Sequence, residues 1–258
     1  MVRIALLCCF MALSAANAWS QMLTPPPENK GIVYSHETAF NIKLATNRGL
    51  VPGVEFGRLR TYYKTTYFQV NIGELKDPKE QRQSAEQYLG QSFRPYVYGK
   101  QNNFYVVRAG WGVKRYYSEK AKQRGVAVGI SYNVGPTLGL LKPYYLALCY
   151  PNPDRPGDCR VFEQKYSPEN ADMFLDQNGR IRGASTFTKG LDEISFRPGL
   201  NASIALHFDW GAFDEFVKAF EVGAMLDVFP SKIPILVGDN NHQVFLNFFV
   251  NLQLGKRR

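Results

Sequence analysis

The sequence is short of histidine, of cysteine and of long apolar runs, and each shortage closes off a class of protein. Only His36, His207 and His242 are available for acid–base or metal chemistry. The four cysteines include no C-x₂-C pair with a second pair downstream, so a structural zinc site is not expected. No glycine-rich phosphate loop and no redox motif occurs, and no metal and no cofactor are expected. Beyond the N-terminus there is no apolar run of the about 18 residues that a membrane helix needs.

The first residues do contain a short apolar stretch. "MVRIALLCCFMALSAANA" places Arg3 before Ile4–Leu13 and ends on the small-residue box Ala16-Asn17-Ala18. A basic start, a short apolar centre and an A-x-A box read as a secretory signal peptide, residues 1–18, leaving 19–258 as one domain. Cleavage there removes Arg3 and no acid, so 30 of the 31 Lys+Arg remain against 22 Asp+Glu. A basic balance fits nucleic acid or an acidic membrane surface, and export argues against nucleic acid. Two cysteines survive cleavage, Cys149 and Cys159. In an exported chain they are expected to form a disulfide.

What is abundant is alternation. From residue 242, "HQVFLNFFVNLQLGKRR" sorts by parity: Val244, Leu246, Phe248, Val250, Leu252 and Leu254 on one face, and Asn247, Asn251 and Gln253 among the other. Period two over about eleven residues is a strand with one apolar face, and a tilted strand crosses a bilayer in ~9–11 residues. The pattern recurs upstream and predicts strands at about 37–48, 62–75, 102–115, 124–136, 139–150, 194–209, 215–229 and 242–255. A soluble β-sandwich would also alternate, with its apolar face inward. These runs exceed the ~5–6 residues usual for globular strands. Their second face carries Asn, Ser, Gln and Gly more than Lys and Glu, and Tyr62, Tyr63, Trp111, Tyr116, Tyr117, Tyr144 and Trp210 gather near strand ends. Together these predict an all-β, closed antiparallel transmembrane barrel of about eight strands with aromatic girdles.

The signal peptide, the alternating strands and the closing strand resemble bacterial outer-membrane β-barrel proteins. The ending "LGKRR", where many such barrels end on an aromatic, resembles the bacteroidete branch, as does Lys76-Asp77-Pro78-Lys79-Glu80. The resemblance implies a Gram-negative outer membrane and contact with its lipid and lipopolysaccharide. It also implies insertion by the barrel-assembly machinery and a possible periplasmic or outer-membrane protein partner.

With both chain ends on the periplasmic side, links 135–142 and 209–214 become short periplasmic turns, and 151–193 becomes a long external loop. Link 76–101 is too long for a periplasmic turn. Asp77 as N-cap, Pro78 at the first helical position and Glu80 in a capping-box position predict a helix there from about Pro78 to Leu89. With Asp77, Lys79, Glu80 and Arg82 it could dock a partner, or plug the barrel base.

No catalytic residue is expected. Lys43, Arg108, His207, Glu221 and Asp227 fall on the inward parity and read as an interior polar network. Ser203 and His207 share that face but stand ~13 Å apart. A register that sets Ser203 against Glu221 sets His207 against Val217, which spaces a Ser–His–Glu relay badly. The sequence therefore points to a non-catalytic barrel with a structural or partner-binding role. The alternatives are a lipid hydrolase or acyltransferase and a narrow channel. An interior of eight strands is just filled by side chains, and Met225, Phe245 and Phe249 point into it, which disfavours the channel.

Overall fold

The computed structural model describes residues 34–46, 49–83, 94–118, 126–153, 158–176, 180–210, 215–238 and 241–258. Segments 1–18 and 84–93 lie outside them, and with these the expected signal peptide and the second half of the expected helix.

Eight strands close into one antiparallel barrel. They are β1 (His36–Ala45), β2 (Leu50–Thr61), β3 (Lys64–Leu75), β6 (Asn102–Tyr116), β7 (Ala127–Pro143), β11 (Ser195–Asp209), β12 (Phe216–Val228) and β13 (Val244–Arg257). The ring closes where β1 pairs with β13, from Glu37 opposite Arg257 to Ala45 opposite Phe249. Small elements complete the chain: β4 (Arg82–Gln83) with β5 (Tyr96–Val97), a sheet of β8 (Tyr145–Pro151), β9 (Cys159–Lys165) and β10 (Ile181–Ala184), and the short helix α1 (Ala171–Phe174).

Burial along the barrel strands is inverted relative to a soluble protein. Leu246, Phe248 and Leu254 are 61%, 60% and 65% exposed on the outside, while Gln253 and Asn251 between them are buried. Soluble monomers rarely expose contiguous apolar patches beyond a few hundred Å². Here the apolar parity faces outward all round the ring, as it must where the surroundings are hydrocarbon and no strand edge can be left open.

Two strand expectations are corrected, and their errors cancel in the count. Residues 50–61 form β2, which Pro52, Gly53 and Gly57 hid in the sequence. Pro52 is tolerated because the β3 ladder stops at Gly53, so its missing N–H costs no bond on that side. Conversely, 124–136 and 139–150 are not a hairpin. Gly135-Pro136 reads as a turn, yet β7 runs straight through it to Pro143, and β8 belongs to another sheet. The β6 ladder skips at this point, between Arg108 opposite Thr137 and Trp111 opposite Val134. Asn201 repairs the gap from inside: its Nδ2 donates to the carbonyls of Gly135 (3.0 Å) and Pro136 (2.9 Å).

Gaining β2 reverses the expected side of link 76–101. It leaves from the same barrel end as 144–194 and 229–243, and the turns at 62–63 and 210–215 lie at the opposite end. The long-loop end is closed by an apolar plug. Phe229, Ile233 and Ile235 pack onto the inward side chains of Leu75, Phe104, Val106, Leu141 and Phe245. The Phe104 ring lies 5.1 Å from Phe229 and 6.0 Å from Phe245. Backbone bonds fix the plug, with Gln101 N donating to Ile235 O (2.8 Å) and Val237 N to Gly99 O (2.8 Å).

Candidate functional site

The barrel interior concentrates the charged chemistry. Lys43, Arg108, His207, Glu221 and Asp227 all point inward and are buried. They form separate contacts rather than one network. Arg108 clamps Asp227 in a two-pronged pair, Nε to Oδ1 at 2.7 Å and Nη2 to Oδ2 at 2.8 Å. His207 Nδ1 lies 2.9 Å from Glu221 Oε1, and Asn251 Nδ2 donates to Glu221 Oε2 at 2.7 Å. Lys43 meets no carboxylate among the described residues. It donates to Gln69 Oε1 at 3.1 Å and sits 5.1 Å over the Phe249 ring.

A larger cluster escaped the sequence reading. Lys114 Nζ donates to Glu55 and, at 3.2 Å and 3.1 Å, to Glu37 and Gln253. Arg257 then bridges Glu37 (2.9 Å) and Asp209 (2.6 Å), closing the interior at the short-turn end. Glu55 was invisible because its strand was missed. Glu37 sits on the same parity as Asn41 and Lys43, which was signal enough to place it inside. Several lumenal atoms have no partner among the described residues, including both amide atoms of Asn41, Asn251 Oδ1 and Arg108 Nη1. Interior water is the usual partner of such groups.

The expected register of the β11–β12 hairpin is also corrected. His207 faces Glu221 and Ser203 faces Met225. The connection is longer than a tight turn, with Asp209 opposite Ala219 as the last rung. His207 therefore acquires a carboxylate, but the nearby serine does not join it. Ser203 Oγ accepts from Asn133 Nδ2 at 2.6 Å, and the other ring nitrogen of His207 meets Tyr116 Oη at 3.2 Å. A nucleophile–base contact of hydrogen-bond length is missing between Ser203 and His207, and His207 is 1% exposed. Among the described residues no cluster of His, Cys, Asp and Glu could hold a metal ion.

The proposed docking residues do not share a helix face. Residues 77–80 make a single capped turn: Asp77 Oδ1 accepts from Lys79 N (2.8 Å), and Asp77 N donates to Glu80 Oε1 (3.2 Å). The capping chemistry is thus present, but the chain then extends, and Arg82–Gln83 pair with Tyr96–Val97. Glu80 is drawn down to Lys100 at 2.9 Å, which competes with a helix continuing outward. Lys79 and Arg82 are left exposed.

The longest loop carries the Cys149–Cys159 disulfide, joining β8 to β9. The bridged segment lies outside the barrel ladder. Replacing both cysteines with serine is expected to cost the loop sheet ~3 kcal/mol by the chain-entropy account. Barrel unfolding in urea should keep its midpoint, and a protease accessibility assay should report the loop change.

No family model matches the chain and no curated protein matches it. Among solved structures it is similar to Neisserial surface protein A, at 7% identity and a TM-score of 0.38 over 87% of this chain and 95% of that one. It is also similar to the N-terminal β-barrel domain of Pseudomonas aeruginosa OprF, at 12% identity and 0.32 over 87% and 98%. A third is Ail, the attachment invasion locus protein of Yersinia pestis, solved with the heparin analogue sucrose octasulfate, at 9% and 0.37 over 87% and 96%. Likenesses this distant carry no argument about activity, and the barrel assignment rests on this chain's own closed ladder.

Proposed function

We propose that this protein is a non-catalytic barrel of a Gram-negative outer membrane, of the bacteroidete kind its closing strand resembles, with a structural or partner-binding role in the envelope. The observation that carries this reading is the combination of an apolar exterior with an interior occupied by its own ion pairs and stoppered at the long-loop end. A filled interior offers neither a solute path nor room for a substrate beside His207. The long-loop end, with link 76–101, the disulfide-bridged sheet and the apolar plug, is the external face in this reading, and the short turns are periplasmic. Lipid and lipopolysaccharide surround the wall, and the assembly machinery handles the chain during insertion. A protein partner would meet the long loops, where Val161 and Phe162 of β9 stand exposed.

The test is a photocrosslinking amino acid placed at Phe162 in intact cells, with a second at Leu246 as the lipid-facing control. One discrete adduct from position 162 and none from 246 supports a partner at the loops. Altered lipid A or phospholipid acylation in a deletion strain, restored by the native chain but not by His207→Ala, would overturn the non-catalytic reading in favour of a lipid-modifying enzyme.

A further inference from the structure

Exposed basic residues on the outward face of the barrel lie toward one end; Lys142, on the outward parity of β7 at the other end, is buried with its Nζ 4.4 Å from the Phe187 ring. Arg58 and Arg60 of β2, Lys64 of β3, Arg115 of β6, Lys218 of β12 and Lys256 of β13 all lie toward the short turns. On the β12–β13 side the charge is offset, since Lys256 pairs with Glu215 at 2.7 Å. On the β2–β3–β6 side no described carboxylate pairs with Arg58, Arg60 or Arg115. An arginine on the lipid face costs ~2–4 kcal/mol at mid-membrane and ~0–1 near the interface, so these belong at headgroup depth.

The wall beside them is notched. One row across the sheet reads Arg58, Thr66, Val113, and the row above it reads Phe56, Phe68, Trp111. The short Thr66 and Val113 side chains leave a depression of about 620 Å³ below the aromatic row. Phe68 and Trp111 pack at 5.2 Å and form its upper wall. Arg60 reaches over its floor, with Nε donating to Thr66 Oγ1 at 3.1 Å. The exposed guanidinium of Arg58 flanks it.

We propose that this notch seats one anionic phospholipid of the leaflet at the short-turn end. The phosphate sits against Arg58 and Arg60, and an acyl chain runs up over Thr66 and Val113 against Phe68 and Trp111. This inference rests on the reading of the barrel as membrane-spanning. Two features select the occupant. The medium outside the wall is lipid, and planar guanidinium groups without protein carboxylates match a phosphodiester in charge and geometry. A zwitterionic lipid would fill the same apolar notch but would bring a cation against two arginines.

Trp111 reports on its own notch. In full-length mature protein carrying Trp19→Phe and Trp210→Phe, reconstituted in phosphatidylcholine vesicles, its fluorescence is followed as brominated lipid is added. Brominated phosphatidylcholine is expected to quench Trp111, and brominated phosphatidylglycerol at the same mole fraction is expected to quench it more. Arg58→Gln and Arg60→Gln should each weaken the phosphatidylglycerol preference about fivefold. Lys218→Gln with Lys256→Gln should leave it intact. Equal quenching by the two lipids, or a preference that survives Arg58→Gln/Arg60→Gln, would overturn the lipid seat while leaving the barrel in its bilayer. Failure of brominated phosphatidylcholine to quench Trp111 at all would overturn the membrane-spanning reading instead.

Discussion

Lys114→Met should destabilise the barrel by about 3–5 kcal/mol, because it strips the cation from two buried carboxylates. Lys114 is 1% exposed, as is Glu55, and its Nζ is the only cation bonded to Glu55 among the described residues. Glu37 retains Arg257, so the loss falls mainly on Glu55, which would keep only Gln253 Nε2 at 3.2 Å. Methionine matches the length of the lysine stem and leaves little cavity, so the effect isolates charge. The midpoint of urea unfolding, followed by tryptophan fluorescence in lipid–detergent micelles, measures it. Adding Glu55→Gln should recover half or more of the loss. A single variant within about 0.5 kcal/mol of the parent would show that Glu55 is neutralised some other way.

Phe104→Ala is the second large effect, at about 3–5 kcal/mol. Phe104 is fully buried at the centre of the plug, between Phe229 and Phe245. Its ring also covers Gly139 of the neighbouring strand, where an added Cβ would come within 2.5 Å of Phe104 Cε2. Glycine there lets the ring lie against the backbone, so position 139 has no side chain to move into the space its loss creates. The plug should loosen before the wall does. Hydrogen exchange should therefore speed first at Gln101 and Val237, whose amides hold loop to loop, while β12 and β13 stay protected. Uniform loss of protection across all strands would mean that the plug and the wall form one cooperative unit.

The fold was legible in the sequence because its signal is redundant. A strand such as β13 alternates over its whole length, and its parity alone puts Leu246 outside and Asn247 inside. Legibility failed where backbone chemistry and side-chain pattern disagree. In β2, Pro52, Gly53 and Gly57 are turn residues, yet Val51, Glu55 and the glycines still alternate inward. At Gly135-Pro136 the strand survives because Asn201, on the neighbouring strand β11 and more than 60 residues away in sequence, meets the stranded carbonyls. No local window contains that information. The missed strand also accounts for the misplaced link 76–101, since one strand more exchanges the two sides for each later connection until β7, a single strand where a hairpin was expected, restores them. The interior residues were readable one by one from parity, but their partners were not. Arg108 finds Asp227 from 119 residues away, and Arg257 finds Glu37 from 220, through barrel closure alone.

The central claim is that this chain is a closed barrel resident in an outer membrane, and one measurement addresses it directly. Envelope from cells expressing the native chain is separated on a sucrose gradient, and the fractions are run on a gel with and without boiling. The account predicts that the protein bands with the outer membrane. It further predicts that the unboiled form migrates faster than the boiled one, as a hydrogen-bonded ring that resists detergent must. Recovery in the soluble periplasmic fraction, with boiling leaving its migration unchanged, would contradict it.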